Sequence, residues 1–255
     1  MILPDPSDAI HKAWLYRILS GIADDEFLIS QLRFKGGTCA AMRHIIDRFS
    51  VDLDFDLLDQ AKVEDVRRHL EKIFLKLELK IDEQSKRVPQ YFLKYKNKAG
   101  ERNTMRLDVT FPPPKSNDYE ALRLNEIDRV IYCHTVPTMF ANKLVSVIDR
   151  YEKHGSIAGR DVYDIHTFFL KGFKYKPGII MERRQKSAVD FLMELQKFIE
   201  KYFTQTVIDQ DLSVLLPPAD FKRARKILKQ EVLMFLTDEI NNINLGTSSP
   251  ILLSL

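Results

Sequence analysis

Cysteine is scarce in this chain. Cys39 and Cys133 are the only two among the 255 residues, and their separation does not match a metal-ligand spacing. Such a pattern excludes the disulfide framework of a small secreted domain. The cysteine content therefore favours a reducing, cytoplasmic setting.

Long apolar runs are missing as well. No stretch approaches the roughly 20 apolar residues that a transmembrane helix needs. The N-terminal residues MILPDPSDAI lack the basic and apolar regions of a signal peptide. A net charge of +3 is too small to indicate a nucleic-acid partner, so such a partner must be argued from local clusters. We expect a soluble protein without a membrane partner.

The hydrophobic pattern divides the chain into a mixed part and a helical part. The segments LELKIDE, QYFLKYKN and NTMRLDVTF predict an antiparallel meander, with helical periodicity before it and a further strand near 130–136. Four helical segments follow, one of which is MERRQKSAVDFLMELQKFIEKYF. The sequence predicts an α+β fold, with a mixed-sheet domain over 1–137 and a helical domain over 138–255.

The segment FKGGTCAAMRHIIDRFSVDLDFD, residues 34–56, carries the main functional signal. It begins with a Gly36-Gly37-Thr38 turn, and glycine allows backbone N–H groups to approach a phosphate. A short helix is predicted over Cys39–Ile46 and a strand over Val51–Leu58. The segment therefore combines a candidate phosphate-binding turn with an acidic strand.

The acidic strand contains DLDFDL. Because side chains alternate along a strand, Asp52 and Asp54 share one face, whereas Leu53, Phe55 and Leu57 face the core. Adjacent carboxylates repel each other unless a cation lies between them, and hard oxygen ligands suit Mg²⁺. Asp108 follows on a later strand between two apolar residues and is a candidate third carboxylate.

Other interpretations of these motifs were weighed. A calcium-binding loop is excluded because Leu57 and Val63 stand where such a loop requires Gly and Glu. An ordinary Gly-Gly turn and a solvated acidic strand face both stay open.

The helical part contains two groups of charged residues. Lys143 and Arg150 share one helix face, and Asp161 and Asp164 lie one turn apart at the start of the next helix. They can form interhelical salt bridges, or the two cations can bind phosphates. A second, basic group can contact a polyanion such as RNA or form a solvated surface. It consists of Lys222, Arg225, Lys226 and Lys229, with Arg183, Arg184 and Lys186.

The ordered motifs resemble a known family. KGGT at residues 35–38, Arg43 and SVDLDFD at residues 50–56 resemble the polymerase-β-type nucleotidyltransferase signature, with Asp108 as the candidate acid of its later strand. KLVSVIDR at 143–150 and RDVYDI at 160–165 are similar to the third motif of the AbiEii/AbiGii-type abortive-infection toxins. These are the toxin halves of type IV toxin–antitoxin pairs. The superfamily turn is Gly-Ser, where this chain has Gly-Gly-Thr.

The resemblance implies a bilobed enzyme whose helical domain completes the active-site cleft. It would transfer NMP from an NTP to an acceptor hydroxyl with Mg²⁺ or Mn²⁺, on an RNA such as the tRNA 3′ end, and it would have a cognate antitoxin. A protein Tyr, Ser or Thr hydroxyl is an alternative acceptor, and a catalytically inactive nucleotide-binding regulator is an alternative function.

The resemblance also implies roles for individual residues. Asp56 is not included among the predicted catalytic or metal-binding residues. The implied metal ligands are Asp52, Asp54 and Asp108. These three residues, Lys143 and Asp161 form the implied catalytic set. The implied nucleotide-binding residues are Gly36, Gly37, Thr38, Arg43, Ser50, Lys143 and Arg150.

Overall fold

The computed structural model describes residues 1–246, and residues 247–255 of the predicted helical domain lie outside the described residues. The described chain forms two compact units. The first contains residues 1–113 and 117–135, and the second contains residues 114–116 and the chain from Val136 onward. The predicted combination of a mixed-sheet domain and a helical C-terminal part is confirmed.

The first unit is built on one seven-stranded sheet of order β3-β4-β5-β2-β1-β7-β6. The strands are β1 (Leu32–Lys35), β2 (Asp52–Leu57), β3 (Lys80–Gln84), β4 (Gln90–Lys94), β5 (Thr104–Thr110), β6 (Tyr119–Leu124) and β7 (Arg129–His134). The helices are α1 (Asp8–Ala23), α2 (Glu26–Gln31), α3 (Gly36–Met42) and α4 (Val63–Lys76). Strand β2 is central, since it pairs antiparallel with β1 and parallel with β5.

The two faces of β2 differ in chemistry. Leu53, Phe55 and Leu57 are buried, which confirms their predicted core position. Helix α4 has a matching apolar stripe, with Val66, Leu70 and Phe74 buried at helical spacing. The aspartates of β2 consequently lie on the opposite face of the sheet, called the polar face below.

Several predicted elements in this unit need correction. Strands β1 and β6 were not predicted: β1 has only four residues, and β6 shows no regular alternation of buried and exposed side chains. Helix α3 begins at Gly36 and ends at Met42, rather than covering Cys39–Ile46. The glycines are therefore the first residues of the helix, and Gly36 takes the turn conformation at φ +77°.

The second unit is helical. Its helices are α5 (Val136–His154), α6 (Gly159–Leu170), α7 (Pro177–Arg184), α8 (Ala188–Tyr202), α9 (Gln205–Leu212) and α10 (Pro218–Asn244). The single segment predicted from MERRQKSAVDFLMELQKFIEKYF is wrong, because Gln185 adopts a left-handed conformation at φ 52° and separates α7 from α8. Ser187 then caps α8 by accepting a hydrogen bond from the Asp190 N–H. No helix within residues 1–246 is long and apolar enough to cross a membrane.

The left-handed Gln185 provides a test of this helix break. Glycine adopts positive φ without the steric cost of a Cβ, so Gln185→Gly is expected to raise the free energy of unfolding by about 0.5–1 kcal/mol. The matched control is Lys197→Gly in the exposed middle of α8, which is expected to lower it by about 1 kcal/mol. Urea denaturation followed by circular dichroism measures both. Destabilisation by Gln185→Gly would contradict the assigned backbone conformation.

Candidate active site

The sheet register aligns Asp54 with charged residues on both neighbouring strands. Asp108 of β5 lies directly opposite Asp54 in the parallel ladder, and Lys35 of β1 lies opposite it in the antiparallel ladder. Residues paired in register share a face of the sheet, so these three side chains belong to the polar face. The structure thus brings together two of the acids that the sequence singled out.

The glycine turn lies against this row of side chains. A Cβ built at Gly36 would lie 2.8 Å from Cγ of Asp54 and would clash with its carboxylate. A Cβ at Gly37 would lie 2.8 Å from both Arg48 Nη2 and Ser50 Oγ. The absence of a side chain at both positions therefore allows α3 to pack closely against β2 and against the segment that precedes β2.

Thr38 and Ser50 connect α3 to the start of β2. Thr38 is fully buried, and its hydroxyl lies within hydrogen-bond distance of Ser50 Oγ, 3.0 Å away, and of the backbone carbonyl of Asp52. In this arrangement the hydroxyl of Thr38 holds the turn in place. The nucleotide contacts implied for Thr38 and Ser50 stay predictions.

Arg48 is a residue of this region that sequence reasoning missed. Its guanidinium is buried beside Gly37 and donates a 2.8 Å hydrogen bond to the backbone carbonyl of Phe49. Buried arginines are rare unless they are paired. The available signal was an arginine in RHIIDRFS, at the junction between the glycine helix and the acidic strand.

Arg43 lies at the other end of α3. Its guanidinium donates to the backbone carbonyl of His134, at 2.5 Å, and to the carboxylate of Glu120, at 2.6 Å. These bonds tie the C-terminal end of the helix to strands β6 and β7. The nucleotide contact implied for Arg43 stays a prediction, and the structure shows a fastening role.

Asp56 is a fully buried acid on the polar face. Its carboxylate accepts hydrogen bonds from Lys35 Nζ at 2.5 Å, His134 Nε2 at 2.7 Å, and Asn117 and Tyr119 at 3.0 Å. Burial alone would raise the pKa of Asp56, but the His134 hydrogen bond and the Lys35 charge hold it well below its ordinary value. Asp56 is therefore a charged structural centre.

The fit of a divalent cation depends on the acids around Asp54. Asp108 Oδ2 lies 2.6 Å from Arg106 Nη2, whereas its Oδ1 is buried and makes no hydrogen bond. Mg²⁺ commonly uses one or two carboxylates together with substrate phosphates, which fits the pair of Asp54 and Asp108.

The implied third ligand, Asp52, lies in a different row of the sheet. It is opposite Arg106 rather than Asp108. Among the described residues, no group of three or more His, Cys, Asp or Glu side chains is arranged to hold a metal ion. The metal role implied for Asp52, Asp54 and Asp108 together stays a prediction.

In the second unit, the charged residues of α5 and α6 form an ion-pair cluster around two buried acids. Lys143 Nζ lies 2.7 Å from Asp161 and 2.8 Å from Asp164, and Arg150 Nε lies 3.1 Å from Asp161. Burial alone would raise the pKa of Asp161, but the charges of Lys143 and Arg150 hold it well below its ordinary value. The interhelical salt bridge is thus present, and the phosphate-binding role of Lys143 and Arg150 stays a prediction.

The predicted basic surface is largely occupied by acids of the same unit. Arg183 and Arg184 pair with Asp149, Lys186 pairs with Glu194, and Arg225 pairs with Asp209. Lys222 and Lys226 of α10 are exposed. An RNA contact on this surface stays a prediction and depends mainly on these two lysines.

Comparison with known proteins identifies the family of this chain. A family model described as a nucleotidyl transferase AbiEii toxin of a type IV toxin–antitoxin system matches residues 17–232. The chain belongs to the AbiEii family. This AbiEii protein is therefore a nucleotidyltransferase, and its family implies an NTP substrate and a cognate antitoxin.

Solved structures share the fold. A protein from H. pylori described as a candidate nucleotidyltransferase is 16% identical with a TM-score of 0.65, and the match covers 96% of this chain and 100% of that chain. JHP933 from Helicobacter pylori is 17% identical with a TM-score of 0.54, covering 96% and 99% of the two chains. No curated protein matches the chain.

Substitution of Gly36 tests the close approach to Asp54. Gly36→Ala is expected to lower the free energy of unfolding by about 3 kcal/mol, through positive φ and through the clash with the carboxylate. Gly100→Ala is the matched control in the same unit, because Gly100 has φ +84° with no atom within 4 Å of an added Cβ. It is expected to lose only about 1–2 kcal/mol. Equal losses in urea denaturation would contradict the contact with Asp54.

The ion-pair cluster of the second unit makes a second stability prediction. Asp161→Asn leaves Lys143 and Arg150 without its charge and is expected to cost about 3–5 kcal/mol. The control Asp209→Asn breaks an exposed pair and should unfold close to wild type.

This cluster also predicts a pH dependence. Because the folded pKa of Asp161 is lowered, its stabilisation is present above its ordinary value of 3.8 and is lost as pH falls further. Urea denaturation between pH 3 and pH 7 is expected to show the wild-type advantage over Asp161→Asn shrinking below about pH 4. An advantage that does not change with pH would contradict the charged state of Asp161.

Proposed function

We propose that this AbiEii protein transfers NMP from an NTP to an acceptor hydroxyl in a Mg²⁺-dependent reaction on the polar face of the first unit. The observation that carries the proposal is the register of Asp54, which lies opposite Asp108 and against the glycine turn. Phosphoryl transfer needs positioning and charge stabilisation rather than elaborate covalent chemistry. A glycine turn beside a pair of carboxylates supplies groups suited to positioning the phosphates and to binding a cation that stabilises their charge.

The glycine turn is proposed to bind the triphosphate of the NTP. Gly36 and Gly37 have no side chains to obstruct an approaching phosphate. Thr38 and Ser50 hold the turn against β2 through their hydrogen bond, and the buried Arg48 guanidinium adds positive charge beside Gly37. Binding at this turn would place the triphosphate next to Asp54.

Asp54 and Asp108 are proposed to hold the cation, with Asp52 nearby on the same face. A bound Mg²⁺ or Mn²⁺ would offset the negative charge that develops on the reacting phosphate. Asp108 is further proposed to accept the proton of the acceptor hydroxyl. The hydroxyl oxygen then forms the new bond to the α-phosphorus of the NTP, and the bond from that phosphorus to pyrophosphate breaks. Support comes from Asp108 Oδ1, a buried oxygen that has no hydrogen-bond partner.

In the second unit, Lys143 and Arg150 are proposed to bind phosphate. Their motif resembles the third motif of the family, and their cationic groups are partly exposed. Asp161, which contacts both, would hold them in position. Because of this ion pairing, Asp161 is expected to contribute to stability as well as to the proposed activity.

RNA, such as the tRNA 3′ end, is the proposed acceptor. The resemblance of the ordered motifs favours it, and the exposed Lys222 and Lys226 are suited to contact a phosphate backbone. We also propose the cytoplasm as the site of the reaction, since NTP and tRNA are available there. The cognate antitoxin would limit the activity in the same compartment.

Nucleotide incorporation tests the assigned carboxylates. Purified protein with labelled NTP, Mg²⁺ and total tRNA is expected to label the RNA, and Asp54→Asn or Asp108→Asn should lower the rate at least about 100-fold. Asp82→Asn is the matched control, because Asp82 is an exposed carboxylate of β3 paired with Lys94. It should retain the wild-type rate.

The same assay separates the alternatives. Addition of EDTA is expected to stop incorporation, and ribonuclease treatment should remove the label. Label that survives ribonuclease in a cell lysate would identify a protein acceptor instead. Equal incorporation by Asp54→Asn and wild type would contradict the assigned metal role.

A further inference from the structure

An exposed aromatic side chain lies on the polar face, on the far side of the acids from the glycine turn. Phe92 of β4 is 45% exposed, whereas its neighbours Tyr91 and Leu93 are fully buried. Alternation along the strand therefore directs Phe92 away from the core and onto the polar face. A large apolar ring in this position has no role in the packing of the core.

The register connects Phe92 to the carboxylates through one residue. Phe92 lies opposite Arg106 of β5 in the antiparallel ladder. The Arg106 guanidinium lies 5.7 Å from the centroid of the Phe92 ring and contacts Asp108 at 2.6 Å. Phe92 and Arg106, called the ring–guanidinium pair below, thus border the acid proposed to accept a proton.

The position of this pair distinguishes two sides of the acidic site. The glycine turn follows β1 and contacts Asp54, on one side of β2. The ring–guanidinium pair belongs to β4 and β5, on the other side of β2. An in-line displacement needs the attacking hydroxyl and the leaving pyrophosphate on opposite sides of the reacting phosphorus. If the turn binds the triphosphate, the acceptor approaches from the side of β4 and β5.

The chemistry of the pair favours a single-stranded nucleic acid. Aromatic rings stack on nucleobases, and guanidinium groups bind phosphate and also stack on bases. A flexible RNA end presents an unstacked base, a phosphodiester and a terminal hydroxyl within one nucleotide. A polypeptide acceptor would offer Arg106 no phosphate.

We propose that Phe92 and Arg106 bind the 3′ end of a single-stranded RNA acceptor. Phe92 stacks on a nucleobase near the end, and Arg106 binds an adjacent phosphate. As Arg106 turns to that phosphate, both oxygens of Asp108 become available to the site. The assignment rests on the proposed function, and it concerns acceptor binding rather than NTP binding.

Equilibrium binding measures this role without catalysis. The probe is a short fluorescein-labelled single-stranded RNA with a free 3′ hydroxyl, titrated with the full-length protein in the absence of NTP. Phe92→Ala is expected to weaken binding about tenfold or more, because loss of one stacking partner has an effect of this size. Phe92→Trp keeps a ring and should remain within about threefold of wild type.

The same sheet face contains a matched control. Tyr132 of β7 is 42% exposed, and the Arg33 guanidinium lies 4.4 Å from the centroid of its ring. Tyr132 is separated from Asp108 by strands β2 and β1, and Arg33 lies on β1, with β2 between it and Asp108. Tyr132→Ala is therefore expected to bind the RNA probe as wild type does. An equal loss for Tyr132→Ala and Phe92→Ala would overturn the assignment to the side of β4 and β5.

Arg106 is tested by salt dependence. Arg106→Gln removes one phosphate contact, so the slope of log affinity against log salt should fall by about 0.7, the value for one phosphate of a single strand. An unchanged slope would overturn the role of Arg106. Identical RNA binding by wild type and Phe92→Ala would overturn the role of Phe92. The same role would be overturned if the wild-type protein did not bind RNA and transferred the label only to protein.

Separate measurements keep this inference distinct from the proposed function. Calorimetric binding of NTP with Mg²⁺ is expected to be the same in Phe92→Ala and wild type, and KM for RNA should rise more than KM for NTP. A loss of NTP binding in Phe92→Ala would overturn an acceptor-specific role. If wild type transfers no nucleotide to any acceptor, the proposed function fails. RNA binding that depends on Phe92 would still support the ring–guanidinium pair as an RNA-binding surface.

Discussion

Electrostatic repulsion among acids on the polar face of β2 is the constraint on which this site depends. Asp52, Asp54 and Asp56 alternate with core residues and therefore share one face, and Asp108 joins them from β5. Like charges at this spacing are costly in a partly buried setting unless positive groups lie close by. Lys35, held in the register of β1, is one such group.

Asp56 and Asp108 differ in their hydrogen-bond partners. The difference distinguishes a structural carboxylate from one that can still bind a cation or a proton. Asp56 is fully buried and surrounded by donors, including Lys35 and His134. Asp108 has one oxygen paired with Arg106 and one buried oxygen without a hydrogen bond. A fully satisfied carboxylate stabilises the fold, whereas a partly satisfied one retains capacity for a cation or a proton.

The second unit also compensates buried acids with nearby cations. Asp161 and Asp164 are completely buried and share Lys143, while Arg150 also contacts Asp161. Removal of one member of such a cluster leaves uncompensated charge in the interior. A loss of activity in variants of these residues therefore has to be compared with their stability before it is assigned to catalysis.

The sequence by itself determined the local features of this protein. The alternation in DLDFDL placed the acids on one face and Leu53, Phe55 and Leu57 in the core, and the ordered motifs indicated the family. The alternation depends on neighbouring residues and the family signature on the order of motifs along the chain, so periodicity and motif order are enough to find them.

Only the tertiary structure decided which distant residues meet. The short strand β1 is held by its ladder with β2, which local propensity does not report. The opposition of Asp54 and Asp108, the approach of Gly36 to Asp54, and the partners of Asp56 all follow from strand order and register. The same register places Phe92 beside Arg106, and a shift of one residue would turn each of these side chains to the other face.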